Sequence, residues 1–202
     1  MMTVAIAVCL AAGFAAGLLL PAIQLPVAVD DGISILLCVM LFFVGLELGM
    51  KKGLRQSVKD LGLGFFALPV LAAAGSVLGG LITGMLLNLK DWQGAAVGAG
   101  FGWYSLSSVM LARYDSSLSA IAFLSNVIRE VLAIIFIPIA ARFIHPWAGI
   151  AAGGATSMDT TLPVIVKAAG ADYAIQSFIN GVILSVLAPA AITMILFFAG
   201  VN

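Results

Sequence analysis

Long apolar segments separated by short polar connections dominate the first half of the chain. Residues 3–20, 32–50 and 61–87 are apolar almost throughout, and a membrane-spanning helix needs about 20 such residues. The connection at residues 51–60 reads KKGLRQSVKD and carries four basic side chains. The pattern therefore predicts three transmembrane helices in this half.

Two apolar segments in the second half are interrupted at their centres by glycine and hydroxyl residues. They cover residues 94–112 and 148–170, and an uninterrupted apolar segment follows each, at residues 116–141 and 172–200. The shared order favours an internal repeat. We therefore predict a three-helix unit, residues 1–91, and a second unit of two repeats, residues 92–147 and 148–202.

A shift of 54 positions aligns the two predicted repeats. The identities are Gly100 with Gly154, Ala120 with Ala174, Ile121 with Ile175 and Asn126 with Asn180. The same shift sets Ser105 opposite Asp159 and Ser107 opposite Thr161. Because the identities are few, chance alignment is an open alternative at this stage.

Each interrupted segment has two alternative paths: it spans the membrane as a broken helix, or it turns near its centre and leaves on the side it entered. If the segment turns, each helical half has about nine residues and, at 1.5 Å per residue, reaches roughly 13 Å into the membrane. That depth is close to the midplane of a bilayer core about 30 Å thick. Backbone at such a turn is tolerated only inside protein or beside a wet cavity. Secondary transporters place substrate sites between inverted repeats of this kind. We favour re-entrant hairpins.

The amino-acid composition is typical of a chain that lies mostly in a membrane. Of 202 residues, 63% are hydrophobic and 9% are charged, against about 25% charged in soluble domains. The formal net charge is zero, and no basic run suits a nucleic acid backbone. The basic connection at residues 51–60 predicts a cytoplasmic loop. We therefore predict an all-α integral membrane protein with about five full spans, a cytoplasmic N-terminus and a C-terminus outside.

Arg129 and Glu130 lie at the centre of an apolar segment, where an ionisable residue costs about 2.5–3.5 kcal/mol and marks a function or a paired partner. Neighbours at i and i+1 point about 100° apart on a helix, so the two do not satisfy each other well. With Ser125 and Asn126 they form one polar face. One alternative is a structural ion-pair network, such as Arg129 with Asp159, and the other is binding of substrate or coupling ion.

Asp159 stands in the stretch GGATSMDTTLPV with apolar segments on both sides. The hydroxyl groups near it belong to Thr156, Ser157, Thr160 and Thr161. Together with carbonyls freed by a helix break, which Pro163 favours, they are suited to an ammonium, a proton or a sodium ion. A structural ion pair is the alternative for Asp159, and we favour binding.

Weaker candidates complete the predicted site. Asn180 is suited to helix packing or to ligand binding, and Trp103 and Tyr104 to a gate, to stacking or to an interface. For Glu47 a surface pair with Lys51, four residues on, is the favoured explanation. No cofactor or metal ligand set is expected, because His145 is the only histidine.

Three stretches resemble the bacterial lysine exporter family: AGFGWYSLSS at residues 99–108, NVIREVLAIIFIP at residues 126–138 and GATSMDTTLPV at residues 154–164. The resemblance implies a transporter of the inner membrane that exports L-lysine and toxic lysine analogues. It also implies that Asp159 is needed for transport, and it suggests antiport coupled to a proton or another cation such as Na⁺.

The resemblance also raises an expectation about partners. Full-length members have about three further helices before this region, and in split versions those helices form a separate small membrane protein. We therefore expect this chain to pair with such a subunit or with a second copy of itself. Glu47 is a candidate counterpart of an acid thought important in the N-terminal portion.

For a lysine substrate, we expect Asp159 and Glu130 to bind ammonium and Arg129 to bind carboxylate. The alternatives within transport are another basic amino acid or an organic acid. A non-transporting assembly subunit is a third alternative. A membrane enzyme is disfavoured, because the chain has no HExxH motif and one histidine.

Overall fold

The computed structural model describes residues 62–201 and four positions before them, Ile35, Val39, Phe42 and Leu46, which are helical and exposed. The rest of the first two predicted helices, the basic connection and Glu47 lie outside the described residues. The chain divides into two units, Met1–Cys38 and Val39–Asn202. The architecture that follows belongs to the second unit.

Residues 62–201 fold into α-helices and short 3-10 turns, and this range contains no strand. The helices, numbered from the first that is fully described, are α1 (Ala67–Leu86), α2 (Asp91–Gly98), α3 (Tyr104–Ala112), α4 (Ser116–Phe143), α5 (Pro146–Gly153), α6 (Leu162–Ala169) and α7 (Ala174–Phe198). Turns of 3-10 helix cover Leu63–Phe66, Gly154–Met158 and Ala171–Tyr173.

Three helices of the described range are long and apolar enough to cross a membrane: Ala67–Leu86, Ser116–Phe143 and Ala171–Phe198. These are the three uninterrupted spans that the apolar pattern predicts after residue 60. The two interrupted segments are indeed broken, between α2 and α3 and between α5 and α6. The arrangement of all five predicted spans stays a prediction.

Large apolar side chains face outward from the long helices. Leu124, Ile128 and Ile135 of α4 are each more than half exposed, as are Val186 and Phe197 of α7. A water-soluble monomer rarely exposes contiguous apolar surface of this extent. The outward faces of α4 and α7 are therefore suited to lipid, as the composition predicts.

Glycine allows α1 and α2 to approach each other closely. Ser76, Gly80 and Gly84 lie one helical turn apart on α1 and face Gly94 and Gly98 of α2. A Cβ added to Gly84 would lie 2.8 Å from the Gly94 Cα atom, and the Ser76 hydroxyl donates to the Gly98 carbonyl at 2.7 Å. This small-residue spacing is the one that packs membrane helices backbone to backbone.

The central helix α4 carries one interrupted segment on each half of its length. The Ser119 hydroxyl, near its start, donates to the carbonyl of Ser108 in α3 at 2.8 Å, and Ile121 borders a groove beside Gly94 of α2. On the second half, Ile137 packs in one cluster with Ile150 of α5 and with Ile165 of α6. The two segments therefore pack against different halves of α4.

Candidate functional site

The first break lies between α2 and α3, where the backbone leaves the helical conformation. Phe101 and Gly102 both have positive φ, +50° and +97°. Asn126 of α4 holds this turn, because its Oδ1 atom accepts the Gly102 N–H at 2.8 Å. Its Nδ2 atom donates to the Ser107 hydroxyl and to the Val97 carbonyl, each at 3.3 Å. One side chain thus supplies partners for two backbone groups at the break, the Gly102 N–H and the Val97 carbonyl.

The second break begins at Gly154, whose φ of +63° and ψ of −134° favour glycine. Asn180 of α7 donates from Nδ2 to the Gly154 carbonyl at 3.3 Å and to the Ser157 hydroxyl at 3.0 Å. The Ser157 hydroxyl donates to the Ser177 carbonyl at 2.8 Å, and the Ser177 hydroxyl donates back to the Ser157 carbonyl at 2.7 Å. Asn126 and Asn180, aligned by the 54-residue shift, therefore each hold one break.

The two breaks meet at Arg129. Its Nη2 atom donates to the carbonyls of Phe101 at 2.6 Å and Gly153 at 3.2 Å, and its Nη1 atom donates to the Ala152 carbonyl at 3.0 Å. Among the described residues, Arg129 forms no ion pair with Asp159 and all of its hydrogen bonds go to backbone carbonyls. The described residues therefore show carbonyl acceptors for the guanidinium in place of the ion pair that the structural alternative predicted.

A cavity of about 130 Å³ lies between the two breaks. From the first break it is lined by Gly102, Trp103, Tyr104 and Ser105, and from the second by Ala155, Thr156, Met158, Asp159 and Thr160. Glu130 of α4 and Ser185 of α7 complete the lining. Two acidic residues, Glu130 and Asp159, therefore line one small space, and none of these described lining residues is basic.

Asp159 is exposed at this cavity, directly after the 3-10 turn of the second break. Its Oδ1 atom accepts the backbone N–H of Thr160 at 2.5 Å and the Thr160 hydroxyl at 3.3 Å. No described residue donates to the other carboxylate oxygen. Behind it, buried Thr156 donates its hydroxyl to the Gly153 carbonyl at 2.8 Å. The Asp159 carboxylate is therefore oriented by its own turn and has one oxygen for a ligand.

The predicted site residues separate into two groups. Seven line the cavity: Trp103, Tyr104, Ser105, Glu130, Thr156, Asp159 and Thr160. Five others hold the breaks or join them: Ser107, Asn126, Arg129, Ser157 and Asn180. Arg129 does not line this cavity, although it lines two others. Its role as the ligand of a substrate carboxylate stays a prediction. Glu47 lies outside the described residues.

Ser185 is a cavity residue that the sequence interpretation missed. It is 3% exposed, and its hydroxyl has one described acceptor, the Met158 sulfur at 3.8 Å. Sulfur is a weak acceptor, so this hydroxyl has capacity for a stronger partner. The only signal in the sequence is a single hydroxyl residue in the apolar stretch GVILSVLAPA, five positions after Asn180.

A family profile and two individual relatives point to the same protein family. The family profile described as "Lysine exporter LysO" matches residues 7–196. The chain is 35% identical to the "Lysine exporter LysO" of Escherichia coli strain K12 over 157 residues, which are 77% of this chain and 52% of that protein. It is 32% identical over 154 residues to a "Putative lysine exporter" of Haemophilus influenzae, covering 76% of this chain and 78% of that protein.

The chain thus spans about half the length of the E. coli relative. No solved structure matches it at a significant level. The profile nevertheless covers almost all of its residues, including both breaks and the cavity between them. This membrane protein belongs to the lysine exporter family.

Proposed function

We propose that this chain exports L-lysine across the bacterial inner membrane and binds the substrate between its two helix breaks. The observation that carries the proposal is the pair of carboxylates, Glu130 and Asp159, on one cavity whose described lining contains no basic residue. The names of the two relatives support lysine as the substrate. The family supports a transporter and not an enzyme.

The lining suits an ammonium group. An ammonium has three donors and no acceptor, and carboxylate and hydroxyl oxygens accept from it. Glu130 and Asp159 supply negative charge, and Ser105 and Ser185 supply hydroxyl oxygens. Trp103, on the same cavity, adds an aromatic ring of the kind that attracts cations. The lining is therefore complementary to the ammonium of a lysine side chain or to that of its α-carbon.

Cavity size supports binding of one end of the substrate at a time. A cavity of about 150 Å³ admits benzene, so about 130 Å³ suits an ammonium and the carbons next to it. We propose that Asp159 and Glu130 bind ammonium and that the substrate carboxylate is bound without the Arg129 guanidinium.

Export of a cation needs an energy source. Moving one positive charge outward against the membrane potential costs about 2.3 kcal/mol per 100 mV. A carboxylate that releases lysine and accepts a proton or a sodium ion in exchange supplies the coupling. We propose that Asp159 is the carboxylate of this antiport.

We further propose that both interrupted segments are re-entrant hairpins from opposite sides of the membrane. For the second, the indole N–H of Trp147, near the start of α5, donates to the Gln176 side chain near the start of α7 at 2.7 Å. That contact brings the two ends of the segment together. In this arrangement the N-terminus is cytoplasmic and the C-terminus is outside, and a small three-helix membrane subunit or a second copy of the chain completes the transporter.

The test is counterflow of labelled L-lysine in proteoliposomes that contain the purified chain, with and without a pH gradient or a sodium gradient. Wild type is compared with Asp159→Asn and with a matched control, Asp172→Asn, because Asp172 is exposed in the turn before α7 and does not line the cavity. We expect lysine exchange in wild type and in the control, and no exchange in Asp159→Asn.

Exchange by Asp159→Asn at the wild-type rate contradicts the assigned role of this carboxylate. Wild-type proteoliposomes without exchange, repeated together with a coexpressed three-helix family subunit and still inactive, contradict lysine export. Exchange that neither gradient drives contradicts the antiport.

A further inference from the structure

One helix end and one turn carbonyl converge on one cation. Helix α5 ends at the carbonyls of Ala152 and Gly153, and the Phe101 carbonyl lies in the turn that follows α2; all three accept from Arg129. The last carbonyls of a helix have no partner within it, and that end carries a partial negative charge. The positive charge of Arg129 is therefore compensated in part by the C-terminal end of α5.

Glycine is required where the guanidinium passes between the breaks. A Cβ atom added to Gly102 would lie 2.7 Å from Arg129 Nη2, and one added to Gly154 would collide with the same atom. Both glycines also have positive φ. A direct bond joins the same backbone, because the Ala155 N–H donates to the Phe101 carbonyl at 2.9 Å.

The position of Arg129 has a consequence for its neighbour on α4. Glu130 follows Arg129 directly and lines the cavity, while the guanidinium lies on the carbonyls behind it. A guanidinium fixed by three acceptors restricts the helix segment that presents Glu130. It also keeps the segment after Gly154, which carries Asp159, beside the segment after Phe101, which carries Trp103.

We infer that Arg129 is a positioning residue, which joins the two helix breaks into one unit and sets the distance between the Glu130 and Asp159 carboxylates. The effect of Arg129 on substrate binding rests on the proposed function, whereas the joining of the two breaks does not involve lysine. Separate measurements therefore test the joining of the breaks and the effect on lysine binding.

The first measurement is the distance between the two interrupted segments in the full chain without substrate. Spin labels replace Arg113 and Lys167, which are both exposed and lie outside the cavity, in a chain whose Cys9 and Cys38 are serine. We expect a narrow distance distribution with Arg129, a broad one in Arg129→Gln, and substantial recovery in Arg129→Lys, which keeps the charge and three donors. Arg142→Gln is the matched control, because Arg142 is an exposed arginine near the end of the same helix.

The second measurement is the dissociation constant for labelled L-lysine in the unlabelled variants. We expect about a tenfold increase in Arg129→Gln, as for the loss of a charge-assisted contact, a smaller increase in Arg129→Lys and none in Arg142→Gln. Thermal unfolding of each variant in detergent shows whether the protein remains folded. Wild type that binds no lysine rejects the proposed function, while the distance measurement still tests the joining of the breaks.

Three outcomes overturn the inference. An unchanged distance distribution in Arg129→Gln shows that the guanidinium does not hold the breaks together. A broad distribution with unchanged lysine affinity shows that the unit does not position the site. Lysine affinity lost at an unchanged distance shows that Arg129 is a direct ligand.

Discussion

The backbone N–H of Ala155 donates to the carbonyl of Phe101 at 2.9 Å, and the two residues are 54 positions apart. The same shift aligns Asn126 with Asn180 and Gly100 with Gly154. Equivalent positions of two copies meet where a two-fold axis passes between them. The bond thus supports two repeats related by a two-fold pseudosymmetry whose axis passes close to the Arg129 guanidinium.

The two repeat asparagines differ in the number of hydrogen bonds that they make. Asn126 donates or accepts in four, whereas Asn180 makes two and its Oδ1 atom has no described donor. We therefore expect Asn126→Ala to lower the free energy of unfolding more than Asn180→Ala, by about 1–3 kcal/mol. Thermal unfolding of both variants in the same detergent measures the difference, and equal losses contradict it.

The close approach of α1 and α2 predicts a position-dependent cost for added methyl groups. Gly84→Ala places a Cβ against the Gly94 backbone, so α1 must move and the Ser76 hydrogen bond to α2 weakens. We expect a loss of about 1–3 kcal/mol, as for overpacking. Gly75→Ala, on the same helix with open space around it, is the control and should be neutral or stabilising. Similar unfolding midpoints for the two variants refute the prediction.

The Ser185 hydroxyl is expected to contribute to substrate binding and little to folding. Its described acceptor is a sulfur atom at 3.8 Å, so Ser185→Ala loses almost no internal hydrogen bond. We expect lysine affinity to decrease about fivefold, the equivalent of one hydrogen bond of about 1 kcal/mol. Equilibrium binding and thermal unfolding are measured on the same preparation. Unchanged affinity excludes a direct contact with the substrate.

The pair of carboxylates predicts which compounds compete for the site. Norleucine has nearly the shape of lysine without the side-chain ammonium, so it leaves one cationic contact unmade. We expect ornithine to compete with labelled lysine and norleucine to fail, and Glu130→Gln to weaken lysine binding about tenfold. Competition by norleucine at the concentrations that suffice for ornithine argues against recognition of the side-chain ammonium.

Apolar length and glycine content were sufficient to predict the described helices and both breaks, because these properties are local. The 100° angle between helical neighbours also predicts that Arg129 and Glu130 diverge, and in the structure only Glu130 lines the cavity. The partners of Arg129 were not predictable in the same way. A search for an opposite charge points to Asp159, whereas the guanidinium is bound by carbonyls, which every residue has.

The three-carbonyl arrangement at Arg129 also has a consequence for biogenesis. When Arg129 leaves the ribosome, two of the three acceptors, at Ala152 and Gly153, follow 23 and 24 residues later and are still inside the exit tunnel. An uncompensated arginine at the bilayer centre costs about 2.5–3.5 kcal/mol. We therefore expect α4 to remain beside the insertion machinery until the second half of the chain emerges, so that membrane integration is completed late and as one step.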